Sequence, residues 1–242
     1  MRDNETVKIM DVNFLNCSKK EFLHDYLVPD LKNNRQKMIV TANPEIVMRV
    51  REDNNYKQIV NKADYVIPDG AGIIIASRIL KQPLKERVPG YELMIDMLEF
   101  AGEQGYSCYF LGAKKDVNEK AVLEAKKRFP NLKVAGQHHG FFDIEDEEFA
   151  RKIAEAEPDM IFVALGLPRQ EQWINRHREK FSNGIFMGIG GSFDVLAGEV
   201  KRAPQAWINL NLEWLYRLLQ QPFRFKRILK VFEFMIRVII RK

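Results

Sequence analysis

The chain is 242 residues long, 46% apolar and 29% charged, a profile that buries a sizeable core and excludes a disordered or fibrous protein. Its two cysteines, Cys17 and Cys108, match no metal or redox spacing, so reduced and buried thiols of a cytosolic protein are expected. The net charge of +5 sits at the end of the chain: residues 205–242 hold eight Lys/Arg against Glu213 and Glu233, which leaves residues 1–204 close to neutral and points to an anionic partner for the tail.

The opening "MRDNETVKIM" has no apolar signal-peptide core, so export is not expected. "VKIMDVNFL" reads as one strand at a sheet edge, and Ser18 with Glu21 forms a capping box that opens a helix. From Lys37 onward, short β-rich apolar runs alternate with helical patterns. The runs are "KMIVTAN", "YVIPD", "SCYFLGA", "LKVAGQ", "DMIFVALG" and "GIFMGIG". Several are continuously apolar, as parallel strands covered on both faces must be. The helical patterns are "PEIVMRVRE", "AGIIIASRIL", "PGYELMIDMLEFAGEQG", "VNEKAVLEAKKRF", "DEEFARKIAEA" and "PRQEQWINRHREKF". This order predicts an α/β fold, an open Rossmann-like, doubly wound and mainly parallel sheet over residues 1–204.

No strand pattern returns after Pro204, and two helices broken at Pro222 fit residues 205–242. At about 100° per residue, Lys226, Arg227, Lys230, Arg237 and Arg241 share one side of the last helix. Phe225, Ile228, Leu229, Val231, Phe232, Met235, Ile236, Val238, Ile239 and Ile240 fill a broad opposite arc. A basic stripe facing a wide apolar arc describes a helix lying in a bilayer interface, and charges every few residues exclude a transmembrane span. The competing reading packs this helix on the body or on a second copy of the chain. Nucleic acid is not expected as the partner.

In open α/β sheets, ligands bind outside the carboxyl ends of the strands, and here those ends carry polar or glycine-rich sequence. In "TANPE", Asn43 is placed to cap a helix with Pro44 at its first position, and Thr41 lies on the same strand face. In "YVIPDGAG", Asp69 follows a strand and precedes a glycine turn into a helix. Such an aspartate either caps the helix or serves as a general base at a pocket mouth. Gly112, Gly166 and Gly190 end strands where close approach of a phosphate to backbone N–H groups is feasible, and Gln170 and Asp194 are candidate polar contacts to a nucleotide. None of these turns has the G-x-G-x-x-G or Walker spacing.

Arg87 in "KERVPGYEL" is either a solvated loop cation or a fork that neutralises a departing diphosphate. His138 and His139 lack a partner at metal spacing, and the acids of "DIEDEE" open a helical pattern, where acidic residues need no further cause.

"TANPEIV", "IPDGAGI", "RVPGYEL", "LGLPRQE" and "GGSFDVLAGEVKRAPQ" occur here in the order and approximate spacing of the WecG/TagA/CpsF family of bacterial glycosyltransferases, which the chain resembles from its first strand to about Pro222. It looks closest to the TagA branch, the N-acetylmannosaminyltransferases of wall teichoic acid synthesis. The resemblance implies an inverting transfer of N-acetylmannosamine from UDP-N-acetylmannosamine. The acceptor implied is the 4-hydroxyl of N-acetylglucosamine on undecaprenyl diphosphate, with no metal and no cofactor. By the same resemblance Asp69 matches the catalytic base. Thr41 and Asn43 match pocket residues near the sugar, Arg87 and Gln170 lie near the diphosphate, and Asp194 lies by the nucleoside. Arg217, Arg224 and Arg227 correspond to basic positions that complete the site over the lipid diphosphate.

A cytoplasmic enzyme attached peripherally to the inner face of the cell membrane through residues 205–242 is therefore expected. Self-association off the membrane is left open. Related donors, UDP-N-acetylmannosaminuronic acid or a UDP-glucose type, are alternatives, and a nicotinamide-dependent oxidoreductase or a non-catalytic nucleotide-binding module are rivals from other classes.

Overall fold

The structure, a computed structural model, describes residues 6–204, 206–207, 213–220 and 225–240. Strands β1 (Thr6–Ile9) and β2 (Val12–Leu15) pair antiparallel as a separate two-stranded sheet, so the stretch read as one edge strand is a hairpin. The reversal falls at Met10, whose φ of 53° is left-handed. It lets Val7, Ile9, Val12 and Phe14 all enter the same core. The Ser18 capping box is present: Ser18 Oγ accepts from the Glu21 amide and Glu21 Oε2 accepts from the Ser18 amide at 2.8 Å. It opens α1 (Lys19–Glu21), which runs on through a π-helical segment, Phe22–Leu27, into α2 (Val28–Lys32).

The main sheet follows the expected alternation. In chain order come β3 (Lys37–Ala42), α3 (Pro44–Glu52), α4 (Asn54–Asn61), β4 (Tyr65–Pro68), α5 (Ala71–Ile79), α6 (Gly90–Gln104), β5 (Ser107–Gly112) and α7 (Lys115–Arg128). Then follow β6 (Lys133–His138), α8 (Glu147–Glu155), β7 (Met160–Ala164), α9 (Arg169–His177), β8 (Ile185–Gly188) and α10 (Ser192–Leu196). The helix α4 was not anticipated. Its start is set by Asp53, whose Oδ1 accepts from the Asn55 and Tyr56 amides at 3.0 and 3.1 Å.

The six strands are all parallel, in the order β4-β3-β8-β7-β5-β6. Both faces are covered, which is why the strands are apolar without alternation. On one face Ile39, Ile67, Phe110, Phe162 and Met187 pack under α6, α7 and α10. On the other, Val40, Val66, Leu111, Val163 and Phe186 pack under α3, α4, α5 and α9. Cys17 and Cys108 are buried free thiols, as expected. Burial pushes Cys17 up to about 12, so it stays protonated.

Two further helices are described, α11 (Glu213–Gln220) and α12 (Phe225–Ile240). The helix α12 lies on α3 and α5, with Ile228, Phe234 and Val238 buried. Each such side chain contributes roughly 1.5–3 kcal/mol when fully removed from water. Phe225, Leu229, Phe232, Ile236, Ile239 and Ile240 stay exposed on the same helix. The arc that the sequence presents as one apolar face is therefore two: one clamped on the body, one open. The basic side is also partly neutralised, since Lys230 pairs with Glu52 and Glu233, and Arg237 with Glu233 at 2.8 Å. Pro222 and Arg241 fall outside the described residues. Among the described residues no helix is long and apolar enough to cross a membrane.

Candidate active site

The helices after neighbouring strands β3 and β8 leave to opposite faces of the sheet, α3 into one core and α10 into the other. That divergence opens a crevice at the carboxyl ends of these strands, the usual ligand position in such folds. Thr41 stands at its floor, its hydroxyl 3.4 Å from the Gly188 carbonyl oxygen across the β3–β8 step. Gly90, at the start of α6, presses on Thr41 so closely that a Cβ there would stand 2.9 Å from the Thr41 hydroxyl oxygen. Glycine is required by that approach.

Asn43 caps α3: its Oδ1 accepts from the Ile46 amide at 3.1 Å, with Pro44 in the first turn. Asp69 does something different. The N-cap of α5 is Gly70, with no side-chain cap, so capping of its own helix does not explain Asp69. Its backbone is pinned by the Asp69 amide donating to the Ala42 carbonyl at 2.9 Å. Its carboxylate turns instead to the next segment. Oδ2 lies 3.4 Å from the Gly90 amide, which donates to it, and Oδ1 lies 3.7 Å from Nη2 of Arg87. Arg87 is largely withdrawn from solvent, its side chain 19% exposed, so it is not a solvated loop cation. The Val88 amide donates to the Pro68 carbonyl at 2.9 Å and ties the arginine-bearing segment to the end of β4. Thr41, Asn43, Asp69 and Arg87 are thus brought to one corner, where β3 and β4 end.

The opposite wall is made of turns. Gly166 and Gly190 take positive φ values of 76° and 53°, and no described residue lies within 4 Å of where a Cβ would be on either. Among the described residues the space beside both is open. Gly112 differs from its expected use: a Cβ there would stand 2.4 Å from the Ala164 carbonyl oxygen, so its glycine serves the packing of β5 on β7. Gln170 is buried, and both ends of its carboxamide are engaged within the protein. Oε1 accepts from the Gly190 amide at 2.9 Å, and Nε2 donates to Glu171 Oε1 at 2.7 Å. Hence neither that amide nor the Gln170 side chain, as they stand, points at a ligand. Asp194 lies in α10 by the Gly191 turn, its backbone carbonyl accepting from Val200. Arg217 and Arg227 lie in α11 and α12 with undescribed side chains, and Arg224 lies outside the described residues.

Glu171 belongs to none of the motifs above, although the sequence carries a signal for it. On α9 it stands at the edge of the arc shared by Gln170, Trp173, Ile174 and His177, all buried. An acid on a buried arc is itself the signal. Burial pushes its carboxyl up to about 7.

The other polar groups singled out have local explanations. Asp146 caps α8 by accepting from the Phe149 amide, His138 Nδ1 lies 2.8 Å from the His139 carbonyl oxygen, and the His138 ring packs on Phe142 and Phe149. A cavity of about 320 Å³ lies away from the crevice, where the β1–β2 hairpin meets the start of β4. Its acids are paired within the protein, Asp11 with Lys57 and Asp64 with Lys37 and Arg178. Among the described residues no three His, Cys, Asp or Glu side chains gather as a metal site.

The chain has named relatives over almost its whole length. The chain is 39% identical over 235 residues, 96% of its length and 91% of the relative's, to N-acetylglucosaminyldiphosphoundecaprenol N-acetyl-beta-D-mannosaminyltransferase of Staphylococcus aureus strain MRSA252. It is 37% identical over 227 residues, 94% of its length and 88% of the relative's, to the protein of the same name from Bacillus spizizenii strain W23. Residues 7–242 match the model of the glycosyl transferase WecG/TagA/CpsF family, and the chain belongs to that family.

Proposed function

We propose that the protein transfers N-acetylmannosamine from UDP-N-acetylmannosamine to the 4-hydroxyl of N-acetylglucosamine carried on undecaprenyl diphosphate, the linkage-unit step of wall teichoic acid synthesis. Family membership and the shared name of relatives covering more than nine-tenths of the chain support the reaction. The observation that carries the mechanism is the Asp69 carboxylate at the end of β4, unused by its own helix and facing Arg87 at 3.7 Å.

In the proposed reaction Asp69 takes the acceptor hydroxyl proton as that oxygen attacks the anomeric carbon. The carbon–oxygen bond to UDP breaks on the opposite face, inverting the centre, and the electron pair leaves on the diphosphate. A base is needed because a neutral hydroxyl is a poor nucleophile, and a positioned carboxylate contributes roughly 10²–10⁴-fold. Arg87 is the cation proposed to meet the charge on the leaving diphosphate. Thr41 and the Asn43 amide nitrogen, whose oxygen partner is occupied in the α3 cap, are proposed to border the sugar. The open sides of the Gly166 and Gly190 turns are proposed to receive the diphosphate and Asp194 the nucleoside, with Arg217, Arg224 and Arg227 over the lipid diphosphate.

Residues 205–242 are read as an appendage that brings the site to the inner leaflet, because a polyprenyl acceptor stays in the bilayer. The support is the outer stripe of α12, from Phe225 to Ile240, exposed beside Lys230 and Arg237. Off the membrane, a second copy of the chain is the alternative cover for that stripe.

The test is direct. The purified protein, given UDP-N-acetylmannosamine and a short-chain lipid diphosphate bearing N-acetylglucosamine, should release UDP and form the disaccharide. Turnover only with UDP-N-acetylmannosaminuronic acid or a UDP-glucose donor moves the assignment within the family. Absence of turnover with every UDP-sugar removes it.

A further inference from the structure

Behind the β8 turn lies a set of polar side chains that the mechanism above does not use. Gln170 spans it: its carboxamide oxygen accepts from the Gly190 amide at 2.9 Å and its nitrogen donates to Glu171 Oε1 at 2.7 Å. A backbone N–H only donates, so Gly190 decides which end of the carboxamide faces forward. The nitrogen end then requires an acceptor inside the protein, and Glu171, 1% exposed, is that acceptor. The seat is shaped for this amide, since a Cβ on Gly188 would come 2.7 Å from Gln170 Nε2.

Apart from the Tyr56 hydroxyl, nothing in the packing asks for an acid at 171. Its neighbours on α9, Trp173 and Ile174, are fully buried, and the Tyr56 hydroxyl lies beside the carboxyl. The Tyr56 hydroxyl and the Glu171 carboxyl are neighbours, and neither Glu171 Oε2 nor Tyr56 Oη has a well-aligned partner among the described residues. A buried carboxyl only partly satisfied is destabilising relative to an apolar side chain of the same shape. Its presence calls for a return other than stability. The one bond that it makes to another side chain on the crevice side is the one that holds Gln170.

We infer that Glu171 is a positioning residue: by fixing the Gln170 carboxamide it holds the Gly190 turn in the shape that receives the donor diphosphate. This rests on the reading of the crevice given above, and it adds a residue that touches no substrate. The Gly190 amide is then a structural donor, and its turn offers the ligand its open side. The turn's shape depends on a chain of two hydrogen bonds, Gly190 to Gln170 to Glu171, and removal of the last link leaves a buried amide nitrogen unsatisfied and the carboxamide free to turn.

The full-length protein with Glu171→Leu or Glu171→Gln tests this through two measurements. One is the hydrogen-exchange protection of the Gly190 amide without substrate. The other is the kinetic split for the UDP-sugar. Glu171→Gln keeps an acceptor for Gln170, so protection and donor KM should stay within about twofold of wild type. In Glu171→Leu the Gly190 amide should exchange at least tenfold faster and donor KM rise about tenfold. Its kcat at saturating donor should change less. A Glu171→Leu protein with wild-type KM and Gly190 protection overturns the inference, as does a Glu171→Gln protein as impaired as the leucine variant. Should the leucine variant not fold, an unprotected Gly190 amide in the wild type is sufficient to reject it. Failure of the wild type to bind any UDP-sugar removes the donor reading instead, while the exchange result stands apart from it.

Discussion

The two walls of the crevice are built on different principles. Where β3 and β4 end, polar side chains gather: Thr41, the Asp69 carboxylate, and Arg87 beside it. Where β7 and β8 end, the side chains turn inward and the surface is left to glycine backbone at Gly166 and Gly190. A wall of charged side chains suits proton transfer and charge neutralisation, whereas a wall of backbone with a locked interior suits shape recognition of a ligand. The contrast predicts that lesions on the first wall lower turnover and lesions on the second weaken donor binding.

The largest effect should come from Asp69→Asn, which keeps shape and removes the proposed base. Turnover should fall about a thousandfold while UDP affinity, by calorimetry, stays within about twofold; near-normal turnover would take Asp69 out of the base role. Arg87→Ala should follow, with kcat down about a hundredfold, and an unchanged rate would break the assignment of this wall to the leaving group.

On the second wall, Gly190→Ala places a side chain at a φ of 53°, a conformation that strains non-glycine residues. Donor KM should rise about tenfold with kcat less altered; a loss confined to kcat would blur the division between the walls. The smallest effect concerns stability. Glu171 sits above its ordinary value, at about 7 against 4.5, so the folded state holds its proton more tightly than the unfolded chain. Its stabilising contribution is present below about pH 4.5 and is lost as pH rises to about 7, on the order of 3 kcal/mol at most. Denaturant titrations of wild type and Glu171→Gln across that window should differ in slope, the variant being flatter, and equal slopes would show a carboxyl that is ionised throughout.

Much of this was legible in the sequence, for reasons that particular residues show. "KMIVTAN" and "DMIFVALG" were readable as strands because helices cover both faces and leave no polar position until the strand ends. Asn43 before Pro44 announced the start of α3 at the residue where it occurs. The hairpin was missed although a sign was present. Val7 and Ile9 are odd-numbered and Val12 and Phe14 even, so one straight strand would send the two pairs to opposite faces, and only a turn at 10–11 reunites them. The packing of α12 was out of reach for another reason. Periodicity reports how wide an apolar arc is, and it does not say what covers each part of it. Whether Asp69 capped its helix was equally undecidable from spacing, because the answer depends on a glycine amide 21 residues further along.

The attachment of α12 carries a consequence for the proposed meeting of the molecule with a bilayer. Its inner side is fastened to α3 and α5 by Phe234 and Val238, and Val231 reaches the Gly72–Pro44 contact between the starts of those helices. Asn43 and Asp69 stand just ahead of the same two starts. A helix bolted there cannot swivel independently, so any surface that grips its outer stripe also sets the tilt and height at which the carboxylate is presented. The proposed anchor and the aim of the carboxylate are then one piece.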